Sequence, residues 1–355
     1  MASLSELGLP LTIIIFALSA ITVWIAGTRL SEYADTIKNA TGIGQAIVGI
    51  ILLAGVTSLP EIGVTATASL AGEAELAANN LFGSIALQVS LLAAVDAAIG
   101  RNALTSVIPD PTIILEGALN IALLAAIAAA IIVGDRAVFG IGLWAWGSLA
   151  AYLASVWMLS RTKGRRPWLA ARGGRIERAP IQERDEEATS PKTERRALRL
   201  VIVKTVAVAI TILGAGALLA SSGEAIAVQT GLGSSFIGFV LVAFSTSLPE
   251  LSTALSAARQ GLFVMAISDI LGTNLINIGL LFVIDLLGSG EPVISQIGAF
   301  SAFGAMLGVV LTALFLIGLA ERRDRALLRM GYDSIFVVLA YTGGVVFLYT
   351  LRDAT

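Results

Sequence analysis

Two copies of one five-residue string, Thr-Ser-Leu-Pro-Glu, occupy Thr57–Glu61 and Thr246–Glu250, 189 residues apart in a chain of 355. Both lie inside long apolar stretches, where a carboxylate, two hydroxyls and a helix-breaking proline are costly guests. Polar residues follow each copy at matching distances. Counted from the glutamate, Asn80, Ser84 and Gln88 stand at +19, +23 and +27 in the first half, and Asp269, Thr273 and Asn277 at the same offsets in the second. Gly72 and Gly261 match at +11, Gly83 and Gly272 at +22. Residues four apart share a helix face, so two helix pairs can bring hydroxyls, amides and the carboxylates of Glu61 and Glu250 together. Pro60 and Pro249 lack an N–H and free the carbonyls of Val56 and Ser245. At membrane depth such carbonyls are tolerated where they are buried in protein or line a wet cavity. Every group in the set is an oxygen donor, which suits sodium, calcium or magnesium rather than zinc or copper. Two buried glutamates repel each other; one divalent cation, two monovalent cations or protons would relieve that repulsion, and competition among them is a physical basis for exchange.

Such residues need helices to hold them in the bilayer. The chain is 56% hydrophobic and 14% charged, against about 25% charged in soluble domains. Apolar runs long enough to span a membrane recur at roughly 10–27, 42–70, 76–99, 112–133, 137–160, 199–221, 233–258, 262–287, 295–319 and 330–350. The expected fold is an all-α integral membrane protein of ten transmembrane helices. The stretch before the first run carries Glu6 and no basic residue, and reads as leading into a retained span rather than a cleaved signal.

Twelve of the 23 Lys and Arg residues fall between Arg161 and Arg199, amid Gly, Pro and acidic residues. That composition predicts a solvated linker over 161–198, separating a first five-helix repeat (1–160) from a second (199–355). The positive-inside rule places the linker in the cytoplasm and both termini outside, with 21 basic residues inside and two outside. Five spans on either side make the repeats inverted, so the motif regions 54–88 and 243–277 would converge at the midplane, as in secondary transporters. Asp96 and Asp285 both fall at +35, about 12 Å beyond the +27 position along a helix, where helix-end or loop roles are favoured over ion access. Asp269, opposite Asn80 and near the cytoplasmic mouth of the eighth span, reads evenly as a cap or a vestibule charge.

Cysteine and histidine are absent, which removes thiolate, imidazole and zinc chemistry, and no phosphate-binding GxxxxGK[ST] string occurs. An intramembrane hydrolase would need a nucleophile with its base, or a close Asp pair. A passive channel is a further class, separable by conductance and by indifference to a counter-ion. The expectation is a transporter, not an enzyme, with no cofactor and no nucleic-acid partner.

Ala54-Gly-Val-Thr-Ser-Leu-Pro-Glu61 with Gly83-Ser84, and Ala243-Phe-Ser-Thr-Ser-Leu-Pro-Glu250 with Gly272-Thr273-Asn274, resemble the calcium/cation antiporter superfamily, most closely its sodium/calcium exchanger branch. The resemblance covers both motif regions, about 80 residues, and the five-plus-five layout extends it. It implies that Glu61 and Glu250 are the central carboxylates shared by calcium and its counter-ion. It further implies oxygens from Thr57, Ser58, Thr246 and Ser247, outlying sodium at the carbonyls of Ala54 and Ala243, and ligands at Ser84, Gln88, Thr273 and Asn277. The first and sixth spans would slide against an eight-helix core in a monomer of the plasma membrane. Three positions depart from the family pattern: Gln88 replaces the usual Asn, Ile85 the usual Asn at +24, and Asn277 a frequent Asp. The pocket is thereby less negative, and a cation/proton exchanger with another divalent or a monovalent substrate is the alternative reading.

Overall fold

The computed structural model describes residues 4–41, 55, 57–99, 111–162, 191–259, 261, 263–321, 326–327 and 330–351. They fold as α1 (Leu9–Thr41), α2 (Leu59–Ala71), α3 (Ala74–Ile99), α4 (Pro111–Val133), a two-residue hairpin β1–β2 (Ala137–Val138, Ile141–Gly142) and α5 (Leu143–Thr162). The second half continues with α6 (Pro191–Thr230), α7 (Ser234–Thr246), α8 (Leu248–Arg259), α9 (Phe263–Leu287) and a short α10 (Val293–Gln296). It ends with α11 (Ala299–Glu321), hairpin β3–β4 (Ala326–Leu327, Met330–Gly331) and α12 (Tyr332–Leu351).

Among the described residues eight helices are long and apolar enough to cross a membrane, and the α7–α8 pair, bent by 43°, makes a ninth as one broken span. The protein is an integral membrane protein. For the run expected at 42–70, the structure describes α2 and positions 55, 57 and 58; the rest of it, with Ala54, lies outside the described residues. Two helix boundaries differ from those expected. The charged segment 161–198 is helical from Pro191 onward, and proline is favoured at the first helical position because its missing N–H has no partner there anyway. The fifth span starts at Leu143 rather than 137, because Phe139 (φ 55°) and Gly140 (φ 80°) turn the chain into a hairpin first.

The central helices α3 and α9 are the most buried spans, and they carry the polar stripes. Around them, α1, α5, α6 and α12 turn large apolar side chains outward, among them Ile25, Trp157, Ile210 and Phe336, as lipid-facing helices do. Hydrocarbon gives helices no reason to hide Leu or Ile from it, so close approach of small residues has to hold such a bundle together. Gly27 of α1 lies so near Pro249 that an added Cβ would sit 2.5 Å from the ring. Its counterpart 189 residues on, Gly216 of α6, would bring a Cβ to 3.2 Å from the Pro60 carbonyl and from Gly63. Each half's first helix thus crosses the other half's motif, and α1 and α6 pack along each other.

The same offset recurs at the helix ends. Gly72 and Gly261 both adopt positive φ (83° and 78°) to close α2 and α8. Asp96, near the end of α3, accepts hydrogen bonds from Gly331 N (2.7 Å) and Ser334 Oγ (2.7 Å) at the start of α12. Asp285, near the end of α9, accepts from Gly142 N (2.8 Å), just before α5, and from Val293 N. The helix-end role expected for both aspartates is the one observed, and each secures a hairpin belonging to the opposite half.

Candidate cation site

In both motifs a helix begins directly after the serine. Ser58 (φ −76°, ψ 3°) precedes α2 and Ser247 (φ −84°, ψ 1°) separates α7 from α8, so the two strings share one backbone conformation. Proline cannot donate to the turn before it, and a residue with ψ near zero ends the helical run there. Upstream of the second break, Gly238–Val242 forms a π-helical turn. It lies directly on α3, where a Cβ on Gly83 would fall 2.1 Å from the Phe239 carbonyl oxygen. This backbone-to-backbone contact sets the α3 stripe against the second motif.

The stripe makes three contacts there. The Thr246 hydroxyl reaches Asn80 Oδ1 (3.3 Å) and Ser84 Oγ (3.3 Å), and Gln88 Nε2 donates to Ser247 Oγ (3.3 Å). Elsewhere in the spans hydroxyls turn back to their own helix, as Ser19, Thr22 and Thr312 do. Ser84 and Thr246 also meet across the two halves. The carboxylates are exchanged in the same sense: the Thr246 hydroxyl approaches Glu61, and Thr57 approaches Glu250.

Glu61, Glu250, Ser58, Ser247, Thr246, Ser84, Gln88, Thr273, Asn277 and Ala243 are fully buried, and Thr57 nearly so. Yet no oxygen of Glu61 or Glu250 completes a hydrogen bond of ordinary geometry, and among the described residues no basic side chain pairs with either. Thr273 Oγ1, both amide atoms of Asn274 and of Asn277, Gln88 Oε1 and Asn80 Nδ2 are likewise buried and unmatched. An unmet buried polar atom costs about 1–3 kcal/mol, more when charged, so a concentration of them calls for a ligand. Eight of these eleven atoms are oxygens, so a hard cation fits. Among the described residues no three carboxylates converge on one point, which leaves a centre of two carboxylates and neutral oxygens.

Of the expected residues, Thr57, Thr246, Ser247, Ser84 and Gln88 are linked by these contacts to one another or to Glu61 and Glu250; Ser58, Ala243, Thr273 and Asn277 are buried, and Ala54 lies outside the described residues. Asn80, Asn274 and Thr65 were not among those expected to contribute directly. Asn80 shared its offset with Asp269 and Asn274 stood inside the motif, so both carried a signal. Thr65, whose hydroxyl is buried and unmatched, has Ala254 as its counterpart and carried none. Asp269 is 8% exposed and accepts a hydrogen bond from Thr253 (2.7 Å).

The fold is that of a membrane-embedded bundle closed around a buried, oxygen-lined centre. A family described as Sodium/calcium exchanger protein matches residues 11–161 and 200–350, and the chain belongs to that family. It is 25% identical over 325 residues to uncharacterized membrane protein MJ0091 of Methanocaldococcus jannaschii, spanning 87% of this chain and 97% of that one. It is 35% identical to sodium/calcium exchanger MaX1 of Methanosarcina acetivorans over 115 residues, 31% of this chain and 32% of the other. The solved structure of the sodium-calcium exchanger NCX_Mj, soaked with 10 mM Na+ and zero Ca2+, aligns with a TM-score of 0.57 at 20% identity, covering 96% and 99% of the two chains. That likeness is one of fold.

Proposed function

We propose that this protein is a secondary antiporter that exchanges calcium for sodium or protons by alternating access. The observation that carries the reading is the pair of fully buried glutamates, Glu61 and Glu250, each without a completed hydrogen bond and each approached by the threonine of the opposite motif. Two carboxylates in Coulombic reach of one another are unstable without positive charge. One calcium, or two monovalent ions, restores the balance, and the site then alternates between loads rather than emptying. Thr57, Ser58, Thr246, Ser247, Ser84, Gln88, Thr273 and Asn277 supply neutral oxygens around the pair. Ala243, buried on the turn before the second break, offers a carbonyl, and Ala54 is assigned the same role from its sequence position.

The architecture we infer is ten helices in two inverted five-helix repeats, 1–160 and 199–355, joined through 161–198. Support comes from the contacts that recur at the 189-residue offset: Gly27 with Gly216, Gly72 with Gly261, and Asp96 with Asp285. In this reading α1 and α6 move together across the motif prolines, where glycine leaves a smooth crossing. The membrane is the plasma membrane, with both termini outside, the linker in the cytoplasm and the monomer as the working unit.

Gln88 and Asn277 are neutral, and this favours a second reading in which another divalent or a monovalent cation exchanges for protons. Uptake into liposomes of known sidedness separates the two, with sodium and pH gradients imposed one at a time. Calcium flux that follows neither gradient refutes the exchanger. Glu250→Gln is expected to abolish exchange; substantial retained flux would remove Glu250 from the centre.

A further inference from the structure

A hydroxyl buried in a membrane helix ordinarily bonds the carbonyl one turn back, as those of Ser69, Ser90, Ser245 and Thr312 do. Among the described residues two buried hydroxyls have no hydrogen-bond partner, Thr273 and Thr65. Thr273 lies on the α9 stripe and is already counted among the oxygens around the glutamates. Thr65 is not. It is fully buried on α2, four residues beyond Glu61, so the two share a helix face and stand about 6 Å apart along the axis. Side chains lean toward the N-terminal end of their helix, which carries the Thr65 hydroxyl back over the turn that holds Glu61. Both carboxylate oxygens of Glu61 are buried and unmatched as well, so the hydroxyl and the carboxylate do not bond each other. A cation between them would take a lone pair from each.

The second half has no such hydroxyl. At the 189-residue offset Ala254 stands for Thr65 and Ala258 for Ser69, and both alanines are buried. The serine, proline and glutamate recur without a hydroxyl one turn on, so the helix that begins at the motif does not need one. In the ion-free fold an unmatched buried hydroxyl is a burden that alanine or valine would remove. One turn beyond Thr65, Ser69 stands on the wall of a cavity of about 350 Å³, which Asp285 and Glu291 also line. The face Glu61, Thr65, Ser69 thus runs from the buried centre to a cavity with acidic walls. Charge selects the ion. Glu61 and Glu250 together balance a divalent cation, whereas Glu61 with a neutral hydroxyl balances a monovalent one.

We propose that the Thr65 hydroxyl and the Glu61 carboxylate form a further position for a monovalent cation, sodium, on the cavity side of the central pair, and that Glu250 has no equivalent. The inference rests on the cation-exchange reading and gives its counter-ion an oxygen that the duplicated motif does not supply. Calcium and sodium then compete for Glu61 through different neighbours, so loss of this hydroxyl weakens sodium and spares calcium.

The test uses the full chain, in liposomes for flux and purified for binding and melting. Thr65→Val keeps the shape and removes the hydroxyl. It is expected to raise the sodium concentration for half-maximal calcium efflux about five-fold, equivalent to ~1 kcal/mol. The calcium dissociation constant measured without sodium should stay within about two-fold of wild type. The melting temperature of the ion-free chain should hold or rise, because an unmatched buried polar group is gone. A hydroxyl that only supports the fold predicts the reverse, a lower melting temperature with unchanged sodium dependence. Thr65→Ser restores the hydroxyl and should bring the sodium dependence back to within about two-fold of wild type. Unchanged sodium dependence in Thr65→Val overturns the proposal, and so do equal losses for sodium and calcium. A Thr65→Val chain that fails to fold also overturns it, since the hydroxyl would then be structural. Wild-type calcium flux that follows pH and not sodium removes this position while leaving exchange standing; flux that follows neither gradient removes both.

Discussion

Replacing Thr246 with valine keeps the shape of the side chain and removes one oxygen. That oxygen lies 3.3 Å from Asn80 Oδ1, 3.3 Å from Ser84 Oγ and 3.2 Å from the Ala243 carbonyl, and it approaches Glu61. A hydroxyl has a single proton to donate, so one donated bond and one accepted bond are lost, not four. A neutral bond contributes a net ~0.5–1.5 kcal/mol and one to a charged group ~1.5–3 kcal/mol. A hydroxyl that serves only the fold gives up its share as a lower melting temperature, with calcium binding unchanged. One that serves a bound cation gives it up as affinity. A loss of ~1–3 kcal/mol corresponds to a calcium dissociation constant raised about 5- to 150-fold. Calorimetric titration of purified Thr246→Val, paired with its melting curve, reads both quantities on one sample. Thr57→Val should behave alike, since Thr57 stands to Glu250 as Thr246 stands to Glu61. A lowered melting temperature with unchanged calcium affinity in both variants would refute the reasoning.

Gly27→Leu should slow exchange more than it weakens equilibrium calcium binding, because the added side chain meets Pro249 at the crossing of α1 over α8; equal losses in both would argue against movement there. Asp96→Ala leaves Gly331 N and Ser334 Oγ without their acceptor and should cost about 1–3 kcal/mol, measurable as a lower melting temperature with little change in calcium affinity. Glu73 lies outside the spans, where burial first and the neighbouring Glu224 carboxylate second push it from 4.5 up to about 7. Its folded form therefore holds a proton that the unfolded chain has released, and stability falls as pH rises from about 4.5 through 7. Glu73→Gln should flatten the melting temperature over that window; an unchanged slope would show that Glu73 does not set it.

The duplicated motif was legible because polar residues are so expensive in hydrocarbon that a repeated set of them stands out. The +19, +23 and +27 stripes followed from helix geometry. What an offset cannot supply is the partner. Thr57 and Thr246 are equivalent by position, but equivalence does not say that each serves the other half's glutamate. The π-helical turn at Gly238–Val242 was illegible too, since its cause is tertiary: Gly83 lets α3 come against the Phe239 carbonyl. Gly27 and Gly216 lie 34 residues before their respective glutamates, and the same offset counted backward along the chain would have found them. The helix over 191–198 was hidden by its charge, which resembles that of a linker, although Pro191 marks its start.

The exchanged aspartates bear on how such a chain is made. Asp96 is synthesised early, and its acceptor duty is to Gly331 and Ser334, more than two hundred residues later. The bonds to Gly331 and Ser334 therefore form only when the last helix arrives. Asp285 has the opposite history, since the hairpin it secures at Gly142 is already waiting. The two halves are thus equivalent in geometry and unequal in time. In each half the aspartate bonds the hairpin of the other half, so neither corner is completed from one half alone.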